Sequence, residues 1–311
     1  MTGRFARVGW FALLALPCVE LGAHALSQAH VPAQAEWRDA AAFVRGEFHP
    51  GDLATVAPTW ADPWLRHALG DRVDLAMAGR SDTAAYARLW ALTIRDAGVA
   101  GAPARAPELT VRFGRVTVKR WTLARPTVAY DFVERVRDAH VDWLRHDGAR
   151  PCPWRQFPWP ERGGLGFGVL DPVERFACDG GRGALWVAPV VMEDLDLAPR
   201  RCVRQHPSGG DEPIRVRYPD VPLGDRIVFY GGLYYEDERM RQGGPVHARI
   251  VLGDQALGAM THIDGDGWKK LVVSTPGRRG TRGEVAIEVS APDPVRRGFC
   301  WAASVRMDGG A

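Results

Sequence analysis

Beyond residue 165 the chain is a succession of short β-rich runs cut apart by clusters of Gly, Pro and Asp, and this pattern narrows the possible folds more than any other feature. The runs fall at 183–192, 214–218, 226–235, 246–252, 268–274, 284–290 and 299–307. Strands of this length, joined by turn residues and with no convincing helix between them, cannot each bury a face alone. They predict a sandwich of two antiparallel sheets over residues 165–308.

The chain reads differently upstream. Ala40, Phe43, Val44 and Phe48 recur at helical spacing over 36–48, and Pro50-Gly51-Asp52 ends that helix. A buried strand over 53–57 and a short helix over 62–69 follow. Asp82 is placed to cap an amphipathic helix through Ala84, Ala85, Leu89 and Leu92, although 90–94 suits a strand equally well. Residues 109–123 alternate as strands around a turn at Gly114, and Phe132, Val136, His140 and Trp143 predict a helix over 131–144. Residues 36–147 therefore predict a small α/β unit. Residues 148–164 hold four prolines and two tryptophans without periodicity and read as a linker, with Trp154 and Trp159 pinning the units together. The fold class is α+β with two domains: a small α/β N-terminal unit followed by an antiparallel β-sandwich.

Location is legible in residues 1–25, read as a signal peptide or an N-terminal anchor. Arg4 and Arg7 precede an apolar run from Val8 to Leu16, and Ala23-His24-Ala25 supplies the small residues of a cleavage site. The run is about half of the ~20 residues that span a bilayer, and Pro17 and Glu20 interrupt it, which favours cleavage. The protein is therefore expected in the periplasm or at the cell surface, meeting a membrane only through an uncleaved N-terminus. Without Cys18, the cysteines Cys152, Cys178, Cys202 and Cys300 form an even set in an exported chain, which predicts two disulfides of undetermined pairing. Basic and acidic residues are nearly balanced at a net charge of +3 and are interleaved, so no nucleic-acid partner is expected.

No Gly-x-Ser-x-Gly, His-Glu-x-x-His, phosphate loop or dinucleotide fingerprint is present, and catalysis is left open but not favoured. Ser208, in His206-Pro207-Ser208-Gly209-Gly210, reads as part of an exposed turn, and Glu193, Asp194 and Asp196 as a solvated loop. Aromatic rings stack on the C–H faces of sugars, so Trp268, Tyr234 and Tyr235 form a candidate platform, with Asp237, Arg239 and Arg241 as hydroxyl or acid partners. Tyr230 belongs to the same group, although strand alternation places Tyr230 and Trp301 in the core. Asp264 and Asp266 in Asp264-Gly265-Asp266-Gly267 offer oxygen ligands to a calcium ion, the one cofactor considered, and also suit an ordinary turn.

Two resemblances follow from particular residues. Gly265-Asp266-Gly267-Trp268, the run Gly283-Glu284-Val285-Ala286-Ile287-Glu288-Val289 and the closing Cys300-Trp301-Ala302-Ala303 are similar to the end of a galactose-binding-like jelly roll, the fold of many carbohydrate-binding modules. Trp37 to Arg45, with Pro50-Gly51-Asp52 and Ala87-Arg88-Leu89-Trp90, resembles the soluble α/β region of bacterial polytopic lipid-linked-sugar glycosyltransferases over residues 36–97. That resemblance lacks the membrane helices and the acidic loop on which activity in that class depends. Together they imply a non-catalytic envelope protein that binds carbohydrate or glycolipid, or assists a membrane glycosyltransferase. The alternatives are a hydrolase or transferase using acids such as Glu193, Asp194, Asp237 or Asp266, and a purely structural or protein-interaction module.

Overall fold

The protein is described by a computed structural model covering residues 16–26, 28, 31–123, 128–158, 172–180, 183, 185–210 and 212–308. The charged start of the segment read as a signal peptide, residues 1–15, and Trp159 with the second half of the segment read as a linker lie outside the described residues. Residues 16–26 are helical and exposed. Among the described residues no helix is long and apolar enough to cross a membrane. The chain forms two compact units, one of residues 1–73 with 88–122 and one of residues 74–87 with 123–311.

In the first unit, α1 (Gln34–Glu47) buries Trp37, Ala40, Ala41 and Val44, the i, i+3, i+4, i+7 stripe of one helix face. The strand β1 (Asp52–Ala57) is buried at every position but one, as a parallel strand covered on both faces should be. It pairs in parallel with β2 (Arg88–Thr93), and the sheet continues antiparallel through β4 (Val116–Thr122) to β3 (Leu109–Phe113). The helix α2 (Asp62–Leu69) opens the crossover, as its sequence predicts. Gly114 turns the β3–β4 hairpin at φ +59°, a left-handed conformation that favours glycine, and a Cβ there would push the Glu36 side chain aside.

The second unit is a sandwich that also carries the one-turn helix α3 (Leu75–Ala78). One sheet runs β17 (Lys269–Ser274), β14 (Arg226–Leu233), β19 (Phe299–Arg306), β11 (Pro199–Gln205), β10 (Trp186–Glu193), β9 (Glu174–Ala177), β8 (Trp154–Gln156), with β5 (Val128–Asp131) also on β19. The other runs β16 (Gln255–His262), β15 (Val246–Leu252), β18 (Arg282–Ala291), β13 (Ile214–Pro222), β6 (His140–Arg145), β7 (Gly148–Pro151), with the short β12 (Ser208–Gly209) on β18. All these pairs are antiparallel except β12 with β18. Strand alternation builds the core. In β13 Ile214, Val216 and Tyr218 are buried, while Arg215 and Arg217 point outward and pair with Glu288 and Asp142. Two disulfides, Cys152–Cys178 and Cys202–Cys300, staple this unit, the second joining β11 to β19.

Three expectations change. The helix predicted over 131–144 is a 3₁₀ turn (Val136–Asp138) followed by β6: the apolar spacing is shared by both forms, and the ladder with β13 satisfies the backbone. Asp82 caps no helix, because its Oδ1 accepts from the Ala84 N–H 3.0 Å away in a local turn, and the chain enters β2 instead. The first half of the proline-rich 148–164 segment contains β7 and β8, short strands at sheet edges, where proline is tolerated. All seven runs that the sequence marks beyond residue 165 are strands. β9, β11, β12 and β16 were not legible, since β9 and β12 are very short, β11 is arginine-rich and β16 is rich in Gly, Ala and polar residues.

Candidate functional site

The loops at one end of the sandwich collect most of the residues singled out in the sequence. After β14 the chain turns through Tyr234 into α4 (Tyr235–Met240), and the loop 263–268 before β17 comes up beside it. Tyr234 and Tyr235 are half-buried and meet edge to face, with centroids 4.7 Å apart. Trp268 is also half-buried. Tyr234 and Trp268 pack together against Met192 and the Cys202–Cys300 disulfide. The indole lies on Gly232, where an added Cβ would fall 2.9 Å from Cε3, and the Arg200 guanidinium sits 5.6 Å from the ring centroid. Trp268 is thus a clamped ring with a partial exposed surface, and the Tyr234–Tyr235 pair carries the rest of the aromatic face.

Asp237 faces inward rather than toward a ligand. Its Oδ2 accepts from the Gly298 N–H at 2.8 Å, and burial pushes its carboxyl above the usual range. Arg239 and Arg241 are exposed on and just after α4, with Arg241 ending the helix in the left-handed region at φ 52°. Burial is also the first cause of the raised Tyr234 hydroxyl, reinforced by Tyr235 and by the negative charges of Glu236 and Glu193, so it stays protonated as a donor.

Asp264 and Asp266 each meet a different cation. Arg297 donates to both oxygens of Asp264, at 2.6 and 3.1 Å, and Lys269 donates to Asp266 Oδ2 at 2.8 Å. Each carboxylate already has a cationic partner, which removes the charge excess that draws calcium. Among the described residues no group of three or more His, Cys, Asp or Glu side chains could hold a metal ion.

What fixes this end is a polar network that sequence reasoning missed. Glu238 on α4 is 1% exposed and its Oε1 accepts from the N–H groups of Gly265 and Gly267, at 3.0 and 2.7 Å. His262 lies 3.8 Å from the same oxygen and bonds the Gly267 carbonyl through Nε2 at 2.9 Å. Arg297, 1% exposed, links Asp264 to the Gly243 carbonyl. Buried charge of this kind costs stability unless geometry repays it, and here it locks the loop that carries Trp268. The only sequence signal was Asp-Gly-Asp-Gly, which marks a turn without naming its partners.

The other acids and hydroxyls have structural duties. Asp194 is buried and organises the β10–β11 hairpin, accepting from the Asp196 and Ala198 N–H groups at 3.0 Å and from Arg200 Nε at 2.7 Å, while Glu193 and Asp196 are exposed. Ser208 is not on an exposed turn. It is 2% exposed in β12 and donates to the Glu212 carbonyl. Trp301 is fully buried and donates to Gln205 at 2.8 Å, as strand alternation predicts.

No family model matches the sequence, and no curated relative does. Among solved structures, the chain is similar to the catalytic domain with two CBM51 domains of Clostridium perfringens ZmpB (14% identity, 54% of this chain, 17% of that chain, TM-score 0.30). It is also similar to CBM51-2 with GlcNAc and INT domains of ZmpB (12%, 65% and 46%, TM-score 0.31). A third is CBM51 from Clostridium perfringens GH95 in complex with methyl-galactose (10%, 49% and 100%, TM-score 0.28). The chain spans well under two thirds of the ZmpB structures it matches. At such scores these likenesses assign neither topology nor ligand, and the sandwich rests on its own strand pairing. None of the three is a lipid-linked-sugar glycosyltransferase, and the resemblance of residues 36–97 to that class finds no support.

Proposed function

We propose that the chain is an exported, non-catalytic protein whose sandwich binds carbohydrate through the loop end that carries Tyr234, Tyr235 and Trp268. The observation that carries this reading is three half-exposed aromatic rings held on a loop and a helix that a buried Glu238–His262–Arg297 network locks in place. Sugars lose little entropy on a surface already rigid, and aromatic faces cover their C–H groups while hydroxyls find Arg239, Arg241 or Glu236 nearby. Export accords with two disulfides in one unit, since such bonds persist in oxidising compartments. Catalysis is disfavoured because the acids at this end are taken up by backbone N–H groups and cations rather than facing one another across a cleft.

A glycan array probed with the full chain and with Tyr235→Ala tests this. Saturable binding to neutral or N-acetylated glycans, weakened about tenfold or more by the substitution with the melting temperature unchanged, is the expected outcome. Absence of binding to every glycan overturns it in favour of a protein-interaction role.

A further inference from the structure

The edge of β19 is shared by two strands, and a crevice opens where they part. Cys300 and Trp301 pair with Arg204 and Val203 of β11, whereas Ser304 to Arg306 pair with Asp131 to Val128 of β5. Between them lies a cavity of about 230 Å³. Residues 74–87 run along it as a strap. The Gly79 carbonyl accepts from the Arg201 N–H at 2.7 Å and the Arg80 carbonyl from Arg200 Nη1 at 3.0 Å. Asp82 Oδ2 accepts from the Tyr230 hydroxyl at 2.6 Å and pairs with Arg306 Nη2 at 2.8 Å. A Cβ on residue 79 would lie 2.6 Å from the Arg201 nitrogen, so the strap approaches this closely only through glycine.

Two hydroxyls on the strap line the crevice and have no hydrogen-bond partner among the described residues. Ser81 Oγ is buried without a hydrogen bond. The Tyr86 hydroxyl makes none among the described residues, and burial pushes it up to about 12, so it remains a neutral donor. A buried hydroxyl left unpaired costs about 1–3 kcal/mol, which a ligand hydroxyl offsets. The charged groups of the crevice are by contrast already engaged: Asp82 with Arg306, Glu134 with Arg201 at 2.5 Å, Asp131 Oδ1 with the Val133 and Glu134 N–H groups, and Arg80 Nη1 with the Met77 carbonyl. A charged ligand would have to compete with these partners. A neutral polyol needs only their spare lone pairs and N–H groups. The volume is below the ~300–1,000 Å³ of pockets for drug-sized molecules, which limits the occupant to about one ring.

We propose that this crevice is a binding site for a single neutral monosaccharide residue, separate from the aromatic loop end. Ser81 and Tyr86 supply the specific hydrogen bonds, and the Asp82–Arg306 pair keeps the strap in place. The site stands on its own geometry and does not require sugar binding at Tyr234, Tyr235 and Trp268.

The test is a ligand-observed NMR titration of the full chain with neutral aldohexoses and N-acetylhexosamines, and with a hexuronate as the charged probe. At least one neutral sugar should bind saturably, and at least tenfold more tightly than the hexuronate. Tyr86→Phe should weaken it about tenfold, the worth of one well-made hydrogen bond. Ala85→Trp, at an exposed position on the rim, should block it both in the wild-type chain and in a Tyr235→Ala background, so that any contribution of the loop end is separated. Melting curves of the two crevice variants that match the wild type show that the fold is intact. The proposal is overturned if no neutral monosaccharide binds, if the hexuronate binds as tightly, or if neither crevice variant alters binding. Loss of all binding in Tyr235→Ala with Tyr86→Phe unaffected would overturn it too, while supporting the loop-end site.

Discussion

Asp52 in the small unit and Glu238 in the sandwich are both almost completely buried, and the two are treated in opposite ways. Asp52 in the small unit is 3% exposed and accepts four hydrogen bonds: from Arg88 Nε and Nη2 at 2.7 and 2.6 Å, from Trp90 Nε1 at 2.9 Å and from the His49 N–H at 2.9 Å. Burial pushes its carboxyl up, but these donors and the Arg88 charge outweigh burial and hold it below the usual range. Glu238 in the sandwich is 1% exposed, uses Oε1 for two backbone N–H groups and leaves Oε2 with no partner. There burial prevails over the Gly267 N–H and the nearby His262, and the carboxyl is raised. Equal burial therefore does not mean an equal role. A cation in bidentate contact makes Asp52 a structural anion, whereas the hydrogen bonds to Glu238 come from backbone N–H groups, and they fix a loop.

The largest expected effect breaks the first half of this contrast. Asp52→Ala strands Arg88 and the Trp90 N–H, and chemical denaturation should show a loss of about 3–5 kcal/mol. A loss under 1 kcal/mol would mean that Arg88, with 22% of its side chain exposed, simply turns to water. The sign with pH agrees: a depressed folded pKa gives stability that is present above the usual 3.8 and is lost as pH falls through the lower folded value.

A buried base sharpens the comparison. Burial, aided by the Arg204 charge, lowers His206 from 6.5 to about 4, so it is neutral in the fold. Its contribution is complete above pH 6.5 and is lost as pH falls toward 4, on the order of 3 kcal/mol in all. Denaturation of wild type and His206→Gln at neutral and mildly acid pH should show that the variant lacks most of this slope. Equal slopes in both proteins would assign the acid sensitivity to other groups.

The smallest effect belongs to Glu238→Gln. With its folded value raised above 4.5, Glu238 contributes stability fully present below that pH and lost as pH rises through the folded value. At pH 7 the uncharged amide should therefore cost less than about 1 kcal/mol, or stabilise, because it no longer buries an ion without a full set of partners. A loss as large as that of Asp52→Ala would show that His262 is protonated and forms a true ion pair with it.

Much of the architecture was legible because local patterns and global packing agree. The i, i+3, i+4 stripe of α1, the apolar run of β1 and the seven turn-bounded strands of the sandwich each state a face to be buried. Where local signals were ambiguous, reading failed: Phe132, Val136, His140 and Trp143 fit a helix, yet the open edge of β13 made a strand of 140–145. The aromatic residues of the loop end were found individually, because Trp and Tyr beside turns are visible in a sequence. Their partners were not, since Glu238, His262 and Arg297 are separated by tens of residues and meet only through the fold.

Sequence alone determined the antiparallel sandwich class and the number of disulfides, since these depend on periodicity, turn chemistry and cysteine count. Tertiary structure decided which cysteines pair, which carboxylates are neutralised and where a crevice opens. The Cys202–Cys300 bridge and the crevice depend on the register of β19 against β11 and β5, and the Asp52–Arg88 pair on that of β1 against β2, long-range relations that no local stretch of residues encodes.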